Sequence, residues 1–337
     1  MIYLDNSATT RPYDAVIEKM TEQMREGYGN PSSLYSLGIA AEKAIKEARK
    51  QVAQLMGVPA ERVYFTSGGT EGDNTAVFGA AAAMKRRGRR IITTAVEHPA
   101  VLEAFRKLEE EGFAPVYVGV DRDGIVDLQA LQAALNKETI LVSVMAVNNE
   151  TGAIMPLAEI RNTIDRFNEQ NGTKVLLHTD MVQSFGKVRD GCAYADIATV
   201  SAHKIHGPKG CGRARLLEGI RAGIADIKVN SFEETALDFS HRASCCAVLN
   251  ISFRGTRGEV ILHKLESKGI YVSTGSACSS NKKGRSHVLT AMKLSDAEIE
   301  GAIRFSLSEF TTIAEINETV ACLQEAVAEF RRLGSFR

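Results

Sequence analysis

Charge of one sign is what this sequence lacks first: 41 Lys+Arg stand against 41 Asp+Glu in 337 residues. Nothing global therefore directs the chain to nucleic acid or to an acidic membrane surface. Long apolar runs are missing too. The longest, Ala76–Met84, falls far short of the ~20 residues that a bilayer-crossing helix needs. The opening "MIYLDNSATT" has neither the basic start nor the long apolar region of a secretory signal. Six cysteines are too few to staple a chain of this size. These absences leave a cytoplasmic enzyme with reduced thiols as the expectation. With 44% hydrophobic residues the chain can bury a sizeable core, enough for two domains.

The common site signatures are also absent. "TSGGTEGDN" at 66–74 does not fit G-x-G-x-x-G, and "GPKGCGR" at 207–213 lacks the ending of a P-loop. Cys192, His203, His206 and Cys211 lie close together, but their spacing fits no common zinc module. No metal is expected. The basic run "KRRGRR" at 85–90 follows an apolar helix, and cations at a helix C-terminus explain it without RNA.

What is present is alternation. Apolar runs of strand length stand at 63–66, 90–96, 115–120, 139–147, 174–179 and 196–201. Helix-like segments separate most of them, such as "PAVLEAFRKLEEEG" with apolar residues at helical spacing and a closing glycine. This pattern predicts a mostly parallel sheet covered on both faces, with ligands bound beyond the carboxyl ends of its strands. After Gly212 the texture changes to short strands at 249–253, 270–273 and 302–307 with helices between them and a final helix near 313–333. That reads as a smaller α+β domain.

Several strand ends carry candidate chemistry, each with an ordinary alternative. Lys204 in "SAHKIHGPKG" closes the run at 197–200, where a buried lysine is expensive unless its charge is used or its pKa lowered. Asp180 in "HTDMVQS" sits near another strand end, as a site carboxylate or a turn former. His98 in "VEHPA" is a helix-start residue or a catalyst, and "VNNETGAI" at 147–154 is a site loop or a turn. "TSGGTEGDN" enters a helix through two glycines, so it is either a phosphate-wrapping N-terminus or a Thr-capped helix. Cys278 lies in the Ser/Gly-rich "STGSACSSNKKGRSHVL", near Lys282, Lys283 and Arg285, a setting that suits a reactive thiolate.

Together, "YLDNSATT", "GNPSSLYSLG", "FTSGGTEGDN", "EHPAV", "VNNETG", "HTDMVQS", "SAHKIHGPKGCG", "STGSACSS" and "IRFSLSEFTT" run in order through nearly the whole chain. They resemble the NifS/IscS-type cysteine desulfurases of the class V aminotransferase superfamily. The resemblance implies the pyridoxal-phosphate (PLP) fold-type I: a large α/β domain with a mostly parallel sheet between helices, plus a smaller α+β C-terminal domain. It divides the chain into an N-terminal segment at 1–14 that packs with the small domain, a large domain at 15–212 and a small domain at 213–337.

The resemblance also implies roles. Lys204 would carry PLP as an imine, Asp180 would pair with the ring nitrogen, and His98 would stack on the ring and shuttle protons. Gln183 would bond the ring's phenolic oxygen, and Asn149 would lie near cofactor and substrate. Gly69, Thr70, Ser201 and His203 would hold the phosphate, and Arg304 would clamp the substrate carboxylate. Cys278 would take sulfur from L-cysteine as a persulfide and leave L-alanine. The sulfur would pass to an acceptor protein, such as an iron–sulfur scaffold or a tRNA-thiolation enzyme. A cytoplasmic homodimer is expected, with no direct contact to nucleic acid or membrane.

The resemblance breaks after Gly212. Family members continue there into another sheet strand, a Gly-rich loop, an Arg-Ser-Gly-Thr motif whose threonine reaches the neighbouring subunit's phosphate, and a long helix. This chain passes directly into "RARLLEGIRAGIADIKV". A second reading is therefore a shortened fold-type I protein that binds PLP or partners without turnover. A smaller departure is Met181, where the family usually has alanine; it would crowd the cofactor or fill a gap.

Overall fold

A computed structural model of the chain describes residues 1–188, 191–205, 211–231, 247–274 and 285–334. Its central sheet has five parallel strands: β2 (Arg90–Thr94), β3 (Ala114–Val118), β4 (Thr139–Ser143), β5 (Leu176–Asp180) and β6 (Ile197–Thr199). Their order is β3-β2-β4-β5-β6. These strands read as unbroken apolar runs because both faces are covered. Ile92, Val142 and Leu177 pack with Leu131 of α5 (Leu128–Ala134) and with Ile160 and Ile164 of α6 (Leu157–Asn171). Ile91 and Leu141, pointing the other way, meet Val77 and Ala81 of α3 (Gly69–Met84) and Phe105 of α4 (Pro99–Glu110).

A second core surrounds an antiparallel sheet of β7 (Ile227–Val229), β8 (Val248–Phe253) and β10 (Ala302–Ser306), in the order β10-β8-β7. The helices α7 (Cys211–Gly223), α8 (Gly258–Glu266) and α11 (Ile313–Gly334) cover it. The chain's first strand, β1 (Ile2–Tyr3), runs parallel to β9 (Ile270–Tyr271), and Asp5 bridges to Ser306. The short helices α9 (His287–Ala291) and α10 (Asp296–Glu300) bring Val288, Leu289 and Met292 onto the first core.

The contacts divide the chain into two compact units, residues 1–10 with 68–337, and residues 11–67. The second unit holds α1 (Asp14–Glu26) and α2 (Ser36–Met56). There Arg49 donates to Val63 O at 3.1 Å and lies over the Phe65 ring. One expected strand does not form. Residues 63–66 form no regular element and pair with no strand among the described residues, and Tyr64 and Phe65 are exposed. β-propensity makes a strand only where a neighbour completes the ladder. The 139–147 run also ends early as a strand, at Ser143. In the basic run, Arg90 Nε donates to Ala134 O at the end of α5, and Arg89 Nη1 to Glu111 O at the end of α4. Lys85 stands at the C-cap of α3, as the run predicts, while Arg89 and Arg90 serve the C-termini of neighbouring helices. Among the described residues no helix is long and apolar enough to cross a membrane.

Candidate active site

The carboxyl ends of β2, β4, β5 and β6 bring His98, Asn149, Asp180 and Lys204 to one edge of the sheet, the place where parallel sheets bind ligands. Lys204 closes the 3-10 turn Ala202–Lys204 and is half-buried. Its Nζ donates to the Ser7 carbonyl at 2.5 Å. Gln183 Nε2 donates to the same carbonyl at 2.9 Å, and Gln183 Oε1 accepts from Lys187 Nζ at 3.2 Å. Asp180 is buried, with Oδ1 accepting the Val182 N–H at 2.8 Å. Burial pushes its carboxyl up to about 6, opposed by that N–H and by the charge of Lys204. The strand-end lysine and carboxylate therefore share one field.

His98 caps α4, its Nδ1 accepting from the Ala100 N–H at 3.2 Å. Burial first, then Lys204 and His287, hold its imidazole down to about 4. The ring is thus neutral at pH 7, with its proton on Nε2. The N-terminus of α3 lies against Ser201: a Cβ built on Gly69 would stand 3.1 Å from Val182 Cγ2 and 3.7 Å from Ser201 Cβ. The tight contact is the one to Val182; the distance to the buried Ser201 is ordinary van der Waals packing. Thr70 is exposed in that turn, and His203 Nδ1 lies 3.2 Å from Thr9 Oγ1. Arg304 of β10 is 2% exposed. Its Nη1 donates to Asn149 O at 3.0 Å, and its Nη2 meets Asp5 Oδ1 at 2.7 Å.

Seen as a donor set, these groups fit PLP. A phosphate suits the α3 N-terminus and Ser201, a ring nitrogen suits Asp180, and an aldehyde suits Lys204. Arg304 already holds one carboxylate, that of Asp5, so its chemistry is that of a carboxylate-binding residue.

The sequence profile described as aminotransferase class-V matches residues 2–219. The chain belongs to that family. A NifS/IcsS protein homologue of Lactobacillus delbrueckii subsp. bulgaricus is 36% identical over 99% of each chain. A cysteine desulfurase of a Nostoc species is 36% identical over the whole of this chain and 95% of that one. A solved NifS-like protein superposes with a TM-score of 0.86 at 30% identity, covering 97% of this chain and 99% of the other. The chain thus stands on the NifS/IscS cysteine-desulfurase branch and has its PLP fold-type I architecture. The first alignment spans 390 positions against 337 residues here, so several dozen positions of that relative have no counterpart.

Sequence reasoning missed the layer behind these residues. Ser7 supplies the carbonyl that receives Lys204 and Gln183. Glu97 is fully buried, with Oε1 accepting from Thr94 Oγ1 at 2.6 Å and from the Met145 N–H at 3.0 Å. His287 Nε2 donates to Glu97 O at 2.9 Å. Asn148, beside Asn149, is a turn former: its Oδ1 accepts the N–H groups of Glu150 and Thr151. Met181 fills the core, with Cys192 Sγ 3.5 Å from its sulfur. Cys278, Cys245, Cys246 and His206 lie outside the described residues. Among the described residues no group of three His, Cys, Asp or Glu is placed to hold a metal.

Proposed function

We propose that the chain is a PLP-dependent cysteine desulfurase that moves sulfur from L-cysteine to Cys278 and releases L-alanine. The observation that carries this reading is the meeting of half-buried Lys204 and His98 with buried Asp180 at one sheet edge, with Arg304 beside them. The α3 N-terminus with Gly69, Thr70 and Ser201 would hold the cofactor's phosphate, joined by His203, and Gln183 would face its ring oxygen. PLP, when bound on Lys204, supplies an electron sink for the pair released at the substrate's Cα.

Arg304 binds and orients the substrate carboxylate, exchanging Asp5 for it, while Asn149 O fixes the other arm of the fork. Neutral His98 holds a proton at Nε2 for delivery to the substrate. The Cys278 thiolate attacks the substrate's sulfur. The new S–S bond forms as the Cβ–S bond breaks, the carbon skeleton leaves as alanine, and Cys278 keeps the sulfur as a persulfide. An acceptor protein that builds iron–sulfur clusters or thiolates tRNA then takes it.

The chain works in the cytoplasm as a homodimer. A partner surface is available on α1, which buries no residue and leaves Val16, Ile17, Met20 and Met24 exposed. Its working division is an N-terminal segment at 1–14, a large domain at 15–212 and a small domain at 213–337. The test is to incubate the PLP-loaded protein with L-cysteine and a reductant and to measure sulfide and alanine. Wild type should release both in equal amounts, and mass spectrometry should find one extra sulfur on the Cys278 peptide. Cys278→Ser should keep the yellow cofactor and release almost no sulfide, and Lys204→Ala should lose the borohydride-fixable cofactor. Full turnover by the serine variant refutes the mechanism.

A further inference from the structure

One face of the small antiparallel sheet is polar, although β8 and β10 are buried at every position. In β8, Leu249, Ile251 and Phe253 point into the second core, so Asn250 and Ser252 project from the other side. In β10, Ile303 and Phe305 pack in the same core, which leaves Arg304 on the side of Asn250, its direct cross-strand partner. Buried polar side chains need partners, and these find theirs in the loop after β4. Arg304 Nη1 donates to Asn149 O at 3.0 Å, and Asn250 Nδ2 donates to Glu150 O at 3.1 Å. Ser231, two residues beyond β7, donates from Oγ to Thr151 O at 2.6 Å. Three consecutive carbonyls are thus taken by three side chains in and beside the small sheet.

These side chains also hold one another. Asn250 Oδ1 accepts from Asn230 Nδ2 at 2.8 Å, which turns the Asn250 amide so that its Nδ2 faces Glu150 O. The Asn250 N–H donates to Ser231 Oγ at 2.9 Å, which leaves the Ser231 hydroxyl proton for Thr151 O. Asn250 is 0% exposed and Ser231 3%, so water does not stand in for a lost partner. Within the loop, Asn148 Oδ1 accepts from the Glu150 and Thr151 N–H groups and ties the turn together. The Asn149 and Glu150 carbonyls belong to adjacent peptide groups, so a shift of one displaces the other. The second arm of the Arg304 fork lies on Asp5 at 2.7 Å, the partner that a substrate carboxylate would replace, while Asn149 O keeps the first.

We propose that Asn250 is a positioning residue for substrate binding: with Ser231 it fixes the loop at residues 149–151, and through Asn149 O it sets the direction in which the Arg304 fork meets the substrate's carboxylate. This role deepens the reading that Arg304 clamps that carboxylate, and rests on it.

The test compares PLP-loaded wild type with Asn250→Leu, which keeps the size and drops the amide, with Ser231→Ala and with Arg304→Lys. The probes are L-alanine and ethylamine, which differ only in the carboxylate; the readout is the concentration that half-shifts the visible band. In wild type L-alanine should act at the lower concentration, and Arg304→Lys should lose most of that difference. Asn250→Leu should need about three- to tenfold more L-alanine, up to the worth of one net hydrogen bond, with its ethylamine response within about twofold of wild type. Its KM for L-cysteine should rise by the same factor while kcat stays within about threefold. Ser231→Ala should show the same selectivity at about threefold. An unchanged L-alanine response in Asn250→Leu, or equal losses for both probes, overturns the inference, because a merely structural defect does not select for the carboxylate. If the Leu variant does not fold, Ser231→Ala decides with the same two probes. A wild type that takes up no PLP or responds alike to both probes, or an Arg304→Lys that keeps the full difference, overturns the carboxylate clamp, and with it this role. A difference lost in Arg304→Lys but kept in Asn250→Leu overturns this role only.

Discussion

Replacing Glu97 by glutamine should make the protein progressively more stable than wild type as pH rises. Glu97 is fully buried, and burial pushes its carboxyl from an ordinary 4.5 to about 8, against the pull of the Thr94 hydroxyl and the Met145 N–H. Between those two values the folded protein keeps a proton that the unfolded chain releases. Stability from this group is therefore complete at low pH and falls as pH rises through that window; above about 8 the slope vanishes. Each pH unit inside the window costs at most ~1.4 kcal/mol, so wild type should lose up to about 3 kcal/mol from Glu97 between pH 5.5 and 7.5. Glutamine carries no such proton. Its oxygen can take the two bonds now made to Oε1, while its amide sits where Oε2 lies without a partner. That buried N–H costs about 1–3 kcal/mol, but equally at every pH, so the slope and not the absolute value is the readout. Asp73 has a slope of the same sign in both proteins and largely cancels. The assay is urea unfolding of cofactor-free wild type and Glu97→Gln at several pH values across that range. A gap between the two proteins that stays constant across it refutes the claim that Glu97 is buried with its proton.

Arg304→Lys can keep the ion pair with Asp5 but loses the fork, so KM for L-cysteine should rise roughly 10- to 100-fold, the worth of one charge-assisted hydrogen bond, with cofactor colour unchanged; an unchanged KM in steady-state alanine formation counts against the clamp. Gly72→Ala would set a Cβ 2.7 Å from Thr199 Cγ2, forcing α3 off β6, and should cost about 1–3 kcal/mol in urea unfolding. Gly79→Ala on the same helix meets nothing within 4 Å and should stabilise by up to ~1 kcal/mol, so equal effects at the two sites would contradict the close approach.

The parts legible in the sequence are those that depend on local pattern. Unbroken apolar runs announce strands buried on both faces, and a polar residue closing such a run marks the sheet edge where ligands bind; Asp180 and Lys204 were readable on that ground. Residues 63–66 have the same composition and form no strand, because pairing is decided by a neighbour elsewhere in the chain. Ser7 could not be found this way either. Its carbonyl reaches Lys204 and Gln183 only after β1 has paired with β9, far along the chain.

Asp73 and His178 are different, since the sequence carries a signal for each. In "GTEGDNTAVFGAAAAM" the aspartate precedes Ala76, Val77 and Ala80 by three, four and seven residues, which is the spacing of one helix face. In "LLHTD" the histidine and Asp180 stand two apart on a strand whose other positions are apolar or hydroxylic, which puts both on one side. A charged residue on the buried stripe of a helix and an imidazole within a buried strand each need a polar partner in the interior. Periodicity applied to the polar residues, and not only to the apolar ones, places the two on facing surfaces of α3 and β5. That rule brings the two groups to 3.6 Å of each other, and His178 finds its hydrogen-bond partners in Ser143 and Thr199.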